Sequence, residues 1–65
     1  MKANKTKVEI AMARMGFNLR ELVAAAEMPY PTVKNVIYGR SVTPKSVGKI
    51  AKALGVDVTE ILEEV

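Results

Sequence analysis

The apolar residues of this 65-residue chain recur at the spacing of helices. Four segments place them at i, i+3, i+4 and i+7, which is typical of an amphipathic α-helix, and a fifth, shorter segment shows part of the same pattern. The five stripes are Val8/Ala11/Met12/Met15, Leu19/Leu22/Val23/Ala26, Val33/Val36/Ile37, Val47/Ile50/Ala51/Leu54 and Val58/Ile61/Leu62/Val65. Since no segment alternates with period two for long enough to form a strand, the pattern predicts an all-α fold, a compact five-helix bundle.

Residues that start and stop helices flank these stripes. Three segments carry a capping box, in which a polar side chain accepts an N–H bond and an acidic residue three positions later reaches back. The boxes are Thr6-x-x-Glu9, Asn18-x-x-Glu21 and Asp57-x-x-Glu60, and Thr43-Pro44 offers a further start. Gly16, Gly39 and Gly55 follow three stripes, where a left-handed residue ends a helix. The predicted helices lie near 7–15, 19–26, 31–38, 44–54 and 58–64.

The length allows one domain, over residues 1–65, which must be held together by apolar packing. The chain contains neither cysteine nor histidine, so disulfides and the usual zinc sites are excluded. The predicted core consists of Val8, Met15, Leu22, Ala26, Val33, Val36, Val47, Ile50, Ala51, Leu54, Ile61 and Leu62.

The join between the second and third helices is the most informative local feature. Only residues 27–30 separate the two helices, and so short a join predicts the steep crossing of a helix-turn-helix. The third helix should then bury its three apolar residues and expose Pro31, Lys34, Asn35 and Tyr38. An α-helix fits the major groove of DNA, where Asn can pair with adenine and Lys can reach guanine or phosphate.

Charge is distributed unevenly along the chain. Residues 1–52 contain all ten Lys and Arg and three Glu, which gives a net charge of +7. In residues 53–65 the only charged side chains are four acidic ones. No acidic residue occurs from 28 to 52. This asymmetry suits a polyanionic partner, although charge alone leaves a simply solvated surface equally open.

Enzymatic function finds no support in the sequence. The chain has no nucleophile–base set and no phosphate-binding glycine loop, so we expect no catalysis, cofactor or small-molecule ligand. The longest uncharged apolar run, at 22–26, is far too short to span a membrane. We therefore expect a cytoplasmic protein.

Several short blocks together resemble one known family. The blocks are Leu22-Val23, Met28, Thr32-Val33, Gly39-Arg40 and Ile50-Ala51-Lys52-Ala53-Leu54-Gly55-Val56. They are similar to the Cro/C1-type (XRE-like) helix-turn-helix family of phage repressors and small bacterial regulators, over about residues 7–64 without a gap. The resemblance implies a five-helix fold, regulation of transcription and, usually, a homodimer on a pseudo-palindromic double-stranded DNA operator.

The resemblance also implies which residues contact DNA. The base-reading positions fall on Tyr30, Pro31, Lys34 and Asn35. The positions that contact the DNA backbone fall on Asn18, Thr32, Tyr38, Arg40 and Lys45. Physical chemistry supports both sets, because helix N-termini and loop N–H groups suit phosphate and Lys or Arg adds attraction. Asn35 is the preferred base reader.

The chain departs from the family pattern in three places. Glu27 replaces the usual glycine of the turn, which predicts a non-glycine residue with positive φ. Pro29 replaces the usual Ser or Thr cap, and because Pro31 disfavours helical geometry before it, Tyr30 is expected outside the helix. Met12 and Ile37 replace a buried Arg–Glu pair, so we expect their side chains to be in contact.

Two other functions remain open. One is a protein-interaction module that keeps the helix-turn-helix shape without binding DNA, although such a module has no need for a basic, acid-free surface. The other, RNA binding, is less favoured because the chain lacks an aromatic stacking platform. We expect a weak homodimer or a monomer in free solution, which pairs on DNA through the loop between helices three and four and through helix five. Val56, Val58 and Val65 could form an apolar patch there or could instead cap the core.

Overall fold

The computed structural model describes residues 1–63 and contains four α-helices followed by one 3₁₀ turn. The helices are α1 (Lys5–Met15), α2 (Leu19–Ala26), α3 (Tyr30–Ile37) and α4 (Pro44–Leu54), and the 3₁₀ turn is Val58–Glu60. Residues 1–63 contain no strand, only an isolated antiparallel bridge between Ala3 and Leu62. The all-α prediction is confirmed, whereas the prediction of five helices is wrong by one.

Most of the predicted helix ends are confirmed. The Asn18 Oδ1 atom accepts from the Glu21 N–H at 2.8 Å, and Glu21 returns a bond to the Asn18 N–H at 2.9 Å. Thr43 caps α4 by accepting from the Ser46 N–H at 3.2 Å. The Asp57–Glu60 box is also formed, although it caps a single 3₁₀ turn rather than a helix.

The start of α1 was predicted wrongly. The helix begins at Lys5 rather than near residue 7, and its cap is Asn4, whose Oδ1 atom accepts from the Lys7 N–H at 2.9 Å. Thr6 therefore lies inside the first turn and cannot act as the cap. Asn is at least as good a cap as Thr, so the local sequence offered two starts and did not decide between them.

The fifth predicted helix, near 58–64, is replaced by backbone pairing with the N-terminus. After the 3₁₀ turn, the Ile61 carbonyl accepts from the Asn4 N–H at 2.8 Å, and the Glu63 N–H donates to the Lys2 carbonyl at 3.1 Å. These bonds satisfy groups that a longer helix would have used internally. Residue 64 and Val65, the end of the predicted helix, lie outside the described residues.

The N-terminal segment, residues 1–4, thus lies between two distant parts of the chain. On its other side the Met1 carbonyl accepts from the Val42 N–H, at 2.8 Å, in the loop between α3 and α4. Ala3 is almost fully buried. The segment has no amphipathic pattern of its own, which is why the sequence did not predict its role.

The apolar core lies between α4 and the other three helices, with Leu22, Ile50 and Leu54 among its largest fully buried side chains. Ten of the twelve predicted core residues are buried, and Leu62 is half-buried against them. The prediction for Met15 is wrong: this side chain is 47% exposed, because Met15 is the final residue of α1. Further buried residues are Ala3, Ala11, Met28 and Ile37. Met12 is half-buried against the same core, and its contact with Ile37 stays a prediction.

Within residues 1–63, no helix combines the length and the apolar character that crossing a membrane requires.

Candidate nucleic-acid interface

The turn between α2 and α3 is built on a strained residue. Glu27 adopts φ 54° and ψ 45°, the left-handed conformation, and its N–H donates to the carbonyls of Val23 and Ala24 at 3.1 and 3.3 Å. A left-handed non-glycine residue costs about 1–2 kcal/mol. The positive φ expected at this departure from the family pattern is confirmed.

The start of α3 differs from the sequence prediction. Pro29 occupies the cap position without a side-chain hydrogen bond, and Tyr30 is the first helical residue rather than a residue outside the helix. The Pro29 carbonyl accepts from the N–H groups of Thr32 and Val33, both at 3.1 Å, which closes the first turn. Pro31 fits there because the first turn does not need its missing N–H. Pro31 disfavours a helical conformation at Tyr30 without forbidding it, and these hydrogen bonds stabilise the helical conformation there.

The apolar face of α3 is buried as the sequence predicts, whereas the opposite face is exposed only in part. Val33, Val36 and Ile37 are buried. On the other side Tyr30, Pro31 and Tyr38 are exposed, whereas Lys34 and Asn35 are half-buried. The polar and aromatic residues of α3 therefore form one accessible surface.

The end of α3 fixes the residue that follows it. The Gly39 N–H donates to the Val36 carbonyl at 3.2 Å, and the Arg40 N–H donates to the Asn35 carbonyl at 3.0 Å. This is the Schellman pattern, and it requires the left-handed φ of 71° found at Gly39. The main chain of Arg40 is thereby held against the last turn of α3.

The side chains of Arg40 and Asn35 are also joined. The Arg40 Nη1 atom donates to Asn35 Oδ1 at 2.7 Å. Together with Tyr30, Pro31 and Lys34, these two residues line a shallow surface cleft of about 170 Å³. All four predicted base-reading residues are therefore brought together, and Arg40, predicted to contact only the DNA backbone, lies among them.

A second feature of this surface is a group of cations around the Tyr38 ring. The Lys5 and Lys34 ammonium nitrogens lie 5.3 and 5.8 Å from the ring centre, and the Arg40 guanidinium carbon lies 6.0 Å from it. Lys34 is also 5.5 Å from the centre of the Tyr30 ring. These distances are within the range of cation–π attraction. We call Lys5, Lys34, Tyr38 and Arg40 the cationic cluster.

Lys5 was missed by the sequence reasoning. A helix start near residue 7 left Lys5 in a featureless tail, whereas the actual start places it in the first turn of α1. The residue that could have indicated this helix start is Asn4, because a cap at that position places Lys5 in the helix.

The remaining predicted residues lie outside this cluster. Asn18 uses both its side-chain oxygen and its backbone N–H in the capping box, so only its side-chain amino group is left to meet a phosphate. Lys45 is exposed in the first turn of α4, and Thr32 is half-buried in the first turn of α3. Among residues 1–63, no group of three or more acidic, His or Cys side chains could hold a metal ion.

Two helices joined by a tight turn, with a basic and acid-free surface on the second, define a helix-turn-helix domain of the DNA-binding type. The sequence comparison agrees, since the family profile of the Cro/C1-type helix-turn-helix DNA-binding domain matches residues 7–65. The protein belongs to this family. No curated protein and no solved structure gave a significant match to the chain.

Proposed function

We propose that the protein is a transcription regulator that binds double-stranded DNA sequence-specifically, with α3 in the major groove. The observation that carries the proposal is the surface of α3, where donor-bearing and aromatic side chains lie together with the cationic cluster and without any acidic residue from 28 to 52. Such a surface matches the acceptors on base edges and the charge of phosphates.

In this proposal the residues have different tasks. Asn35 and Lys34, with Tyr30 and Pro31 beside them, face the base edges. The DNA backbone is held by Asn18, Thr32, Tyr38, Arg40 and Lys45. We add Lys5 to this set, because its ammonium lies 5.3 Å from the centre of the Tyr38 ring. Phosphate contacts fix the position of a protein on DNA, whereas contacts to base edges select the sequence.

We further propose that two copies act together, as a repressor located in the cytoplasm. The described chain measures 28 × 22 × 16 Å. Half-sites of this class of regulator are about 34 Å apart, so one copy can cover only one of them. A pseudo-palindromic operator would therefore hold a homodimer, which we expect to form weakly without DNA.

Selection of bound sites from a random duplex library, followed by binding titrations at several salt concentrations, tests the function. Asn35→Ala should weaken the binding free energy by about 1–3 kcal/mol on the selected site and by little on random duplex. Lys45→Ala should weaken both duplexes equally and reduce the salt slope by about one unit.

Lys52→Ala provides a matched control, since it removes the same charge from a surface that Lys52 shares with Ala25, Glu27 and Ala53 and not with α3. It should change binding little on either duplex. Absence of duplex binding even at low salt would refute the proposal and favour the protein-interaction module.

A further inference from the structure

The hydrogen bond between Arg40 and Asn35 determines what Asn35 can offer to a base. A guanidinium has only donors, so the Asn35 atom that faces Arg40 at 2.7 Å is the side-chain oxygen. The main chain of Arg40 is bonded to the Asn35 carbonyl as well, at 3.0 Å. Two bonds to the same residue therefore hold Arg40 beside the Asn35 amide.

This pairing engages the side-chain oxygen of Asn35, which is the only acceptor atom of that side chain, whereas the amide nitrogen still carries two N–H donors. To recognise adenine, an Asn side chain must donate to N7 and accept from the N6 amino group at the same time. Here the accepting oxygen already receives a short bond from a charged donor, and such bonds are about twice as strong as neutral ones. Adenine would have to displace this donor or share the oxygen with it.

The neighbours of Asn35 in the cleft are also rich in donors. Lys34 carries three N–H donors and no acceptor, and the Arg40 guanidinium has further N–H groups besides the one bonded to Asn35. No carboxylate is available from residues 28 to 52 to accept from the cytosine amino group. Guanine is the base whose major-groove edge presents two acceptors, O6 and N7.

We propose that the hydrogen-bonded Arg40–Asn35 pair makes this protein select guanine, rather than adenine, at the base pair that Asn35 contacts. Arg40 is a positioning residue in this arrangement, because it holds the Asn35 oxygen and turns the amino group toward the base. The inference rests on the proposed DNA-binding function and extends it to the kind of half-site recognised.

The test compares the base preferences of variants on selected duplexes. The base pair read by Asn35 is the one whose preference disappears in Asn35→Ala. The wild type should prefer guanine there, whereas Arg40→Ala, with the Asn35 oxygen released, should shift the preference toward adenine by about 5-fold to 100-fold. Lys45→Ala, which removes an equal charge, should leave the preference unchanged. Thermal unfolding of each variant checks that it is folded.

Modified bases provide a second readout. Inosine keeps the O6 and N7 acceptors of guanine and lacks only its minor-groove amino group, so it should bind as guanine does. 7-Deazaguanine lacks N7 and should bind more weakly.

The inference is wrong if the wild type prefers adenine at this base pair, or if Arg40→Ala weakens all duplexes equally without changing the preference. In either result duplex binding itself persists, and the proposed function stands. If the wild type binds no duplex, the proposed function fails and this inference fails with it.

Discussion

Replacing Gly39 with alanine tests how the end of α3 is held against the N-terminal segment. Gly39 has φ 71°, and a Cβ atom placed there would lie 3.3 Å from the Ala3 carbonyl oxygen. Gly16 and Gly55 have nearly the same φ, 68°, but a Cβ atom at either would meet nothing within 4 Å. The three positions therefore share the backbone strain, and only one adds a close contact.

This difference sets the expected magnitudes. Gly16→Ala and Gly55→Ala should each lower the free energy of unfolding by about 1–2 kcal/mol, the cost of a left-handed alanine. Gly39→Ala should lower it by about 1 kcal/mol more, because the Ala3 main chain must move by a few tenths of an ångström against bonds on both sides of the N-terminal segment. In a domain of this size 1 kcal/mol shifts the melting temperature by about 4–8 °C.

Urea and thermal unfolding, followed by circular dichroism, measure these differences. Deleting residues 1–3 in both the wild type and Gly39→Ala completes a double-mutant cycle, in which the additional loss at Gly39 should disappear. The reasoning is refuted if Gly39→Ala is no more destabilising than Gly16→Ala and Gly55→Ala, or if the additional loss survives the deletion.

Three further predictions concern single positions. Glu27→Gly should raise the free energy of unfolding by about 1 kcal/mol in urea titrations, because glycine adopts a positive φ without strain, and an unchanged or lower stability would contradict this. Leu22→Ala should lower the free energy of unfolding by about 2–5 kcal/mol, whereas Met15→Ala, at an exposed position, should change it by less than about 0.5 kcal/mol. Similar losses in both variants would mean that the core is misplaced. Hydrogen bonds from the Thr59 N–H and hydroxyl lower the pKa of the Asp57 carboxyl from its ordinary value of 3.8, so its stabilising contribution is complete above pH 3.8 and is lost as the pH falls through the lowered pKa. An NMR titration midpoint at or above 3.8 would show that the capping bonds are not formed.

The helices were predictable because periodicity and local signals agree there. In α2 the stripe, the Asn18 cap and the Glu21 partner all indicate the same bounds, and the structure has them at Leu19–Ala26. α4 is similar, with a Thr43-Pro44 start and a glycine just past its end. Such segments depend on neighbours three or four positions away, which a single sequence displays directly.

The chain ends were not predictable for the opposite reason. The segment after Asp57 has a helical stripe, yet its backbone pairs with residues 2 and 4, at the other end of the chain. The buried Ile61 satisfies the stripe in either geometry, so the apolar pattern could not distinguish a helix from a 3₁₀ turn. A pairing between two short segments without period-two alternation leaves no signal in either segment alone.

In the candidate site, too, a contact between side chains was not predictable from the sequence pattern. Sequence reasoning brought the right residues of α3 to one face, because a face follows from helical spacing alone. It assigned Asn35 to a base and Arg40 to phosphate as independent residues, since it had no way to see that a left-handed Gly39 folds Arg40 back onto Asn35. A residue's available donors and acceptors depend on what its neighbours already occupy. The residues that we propose to contact bases could thus be located from the sequence, whereas the base that we propose they select depends on a hydrogen bond that only the folded chain forms.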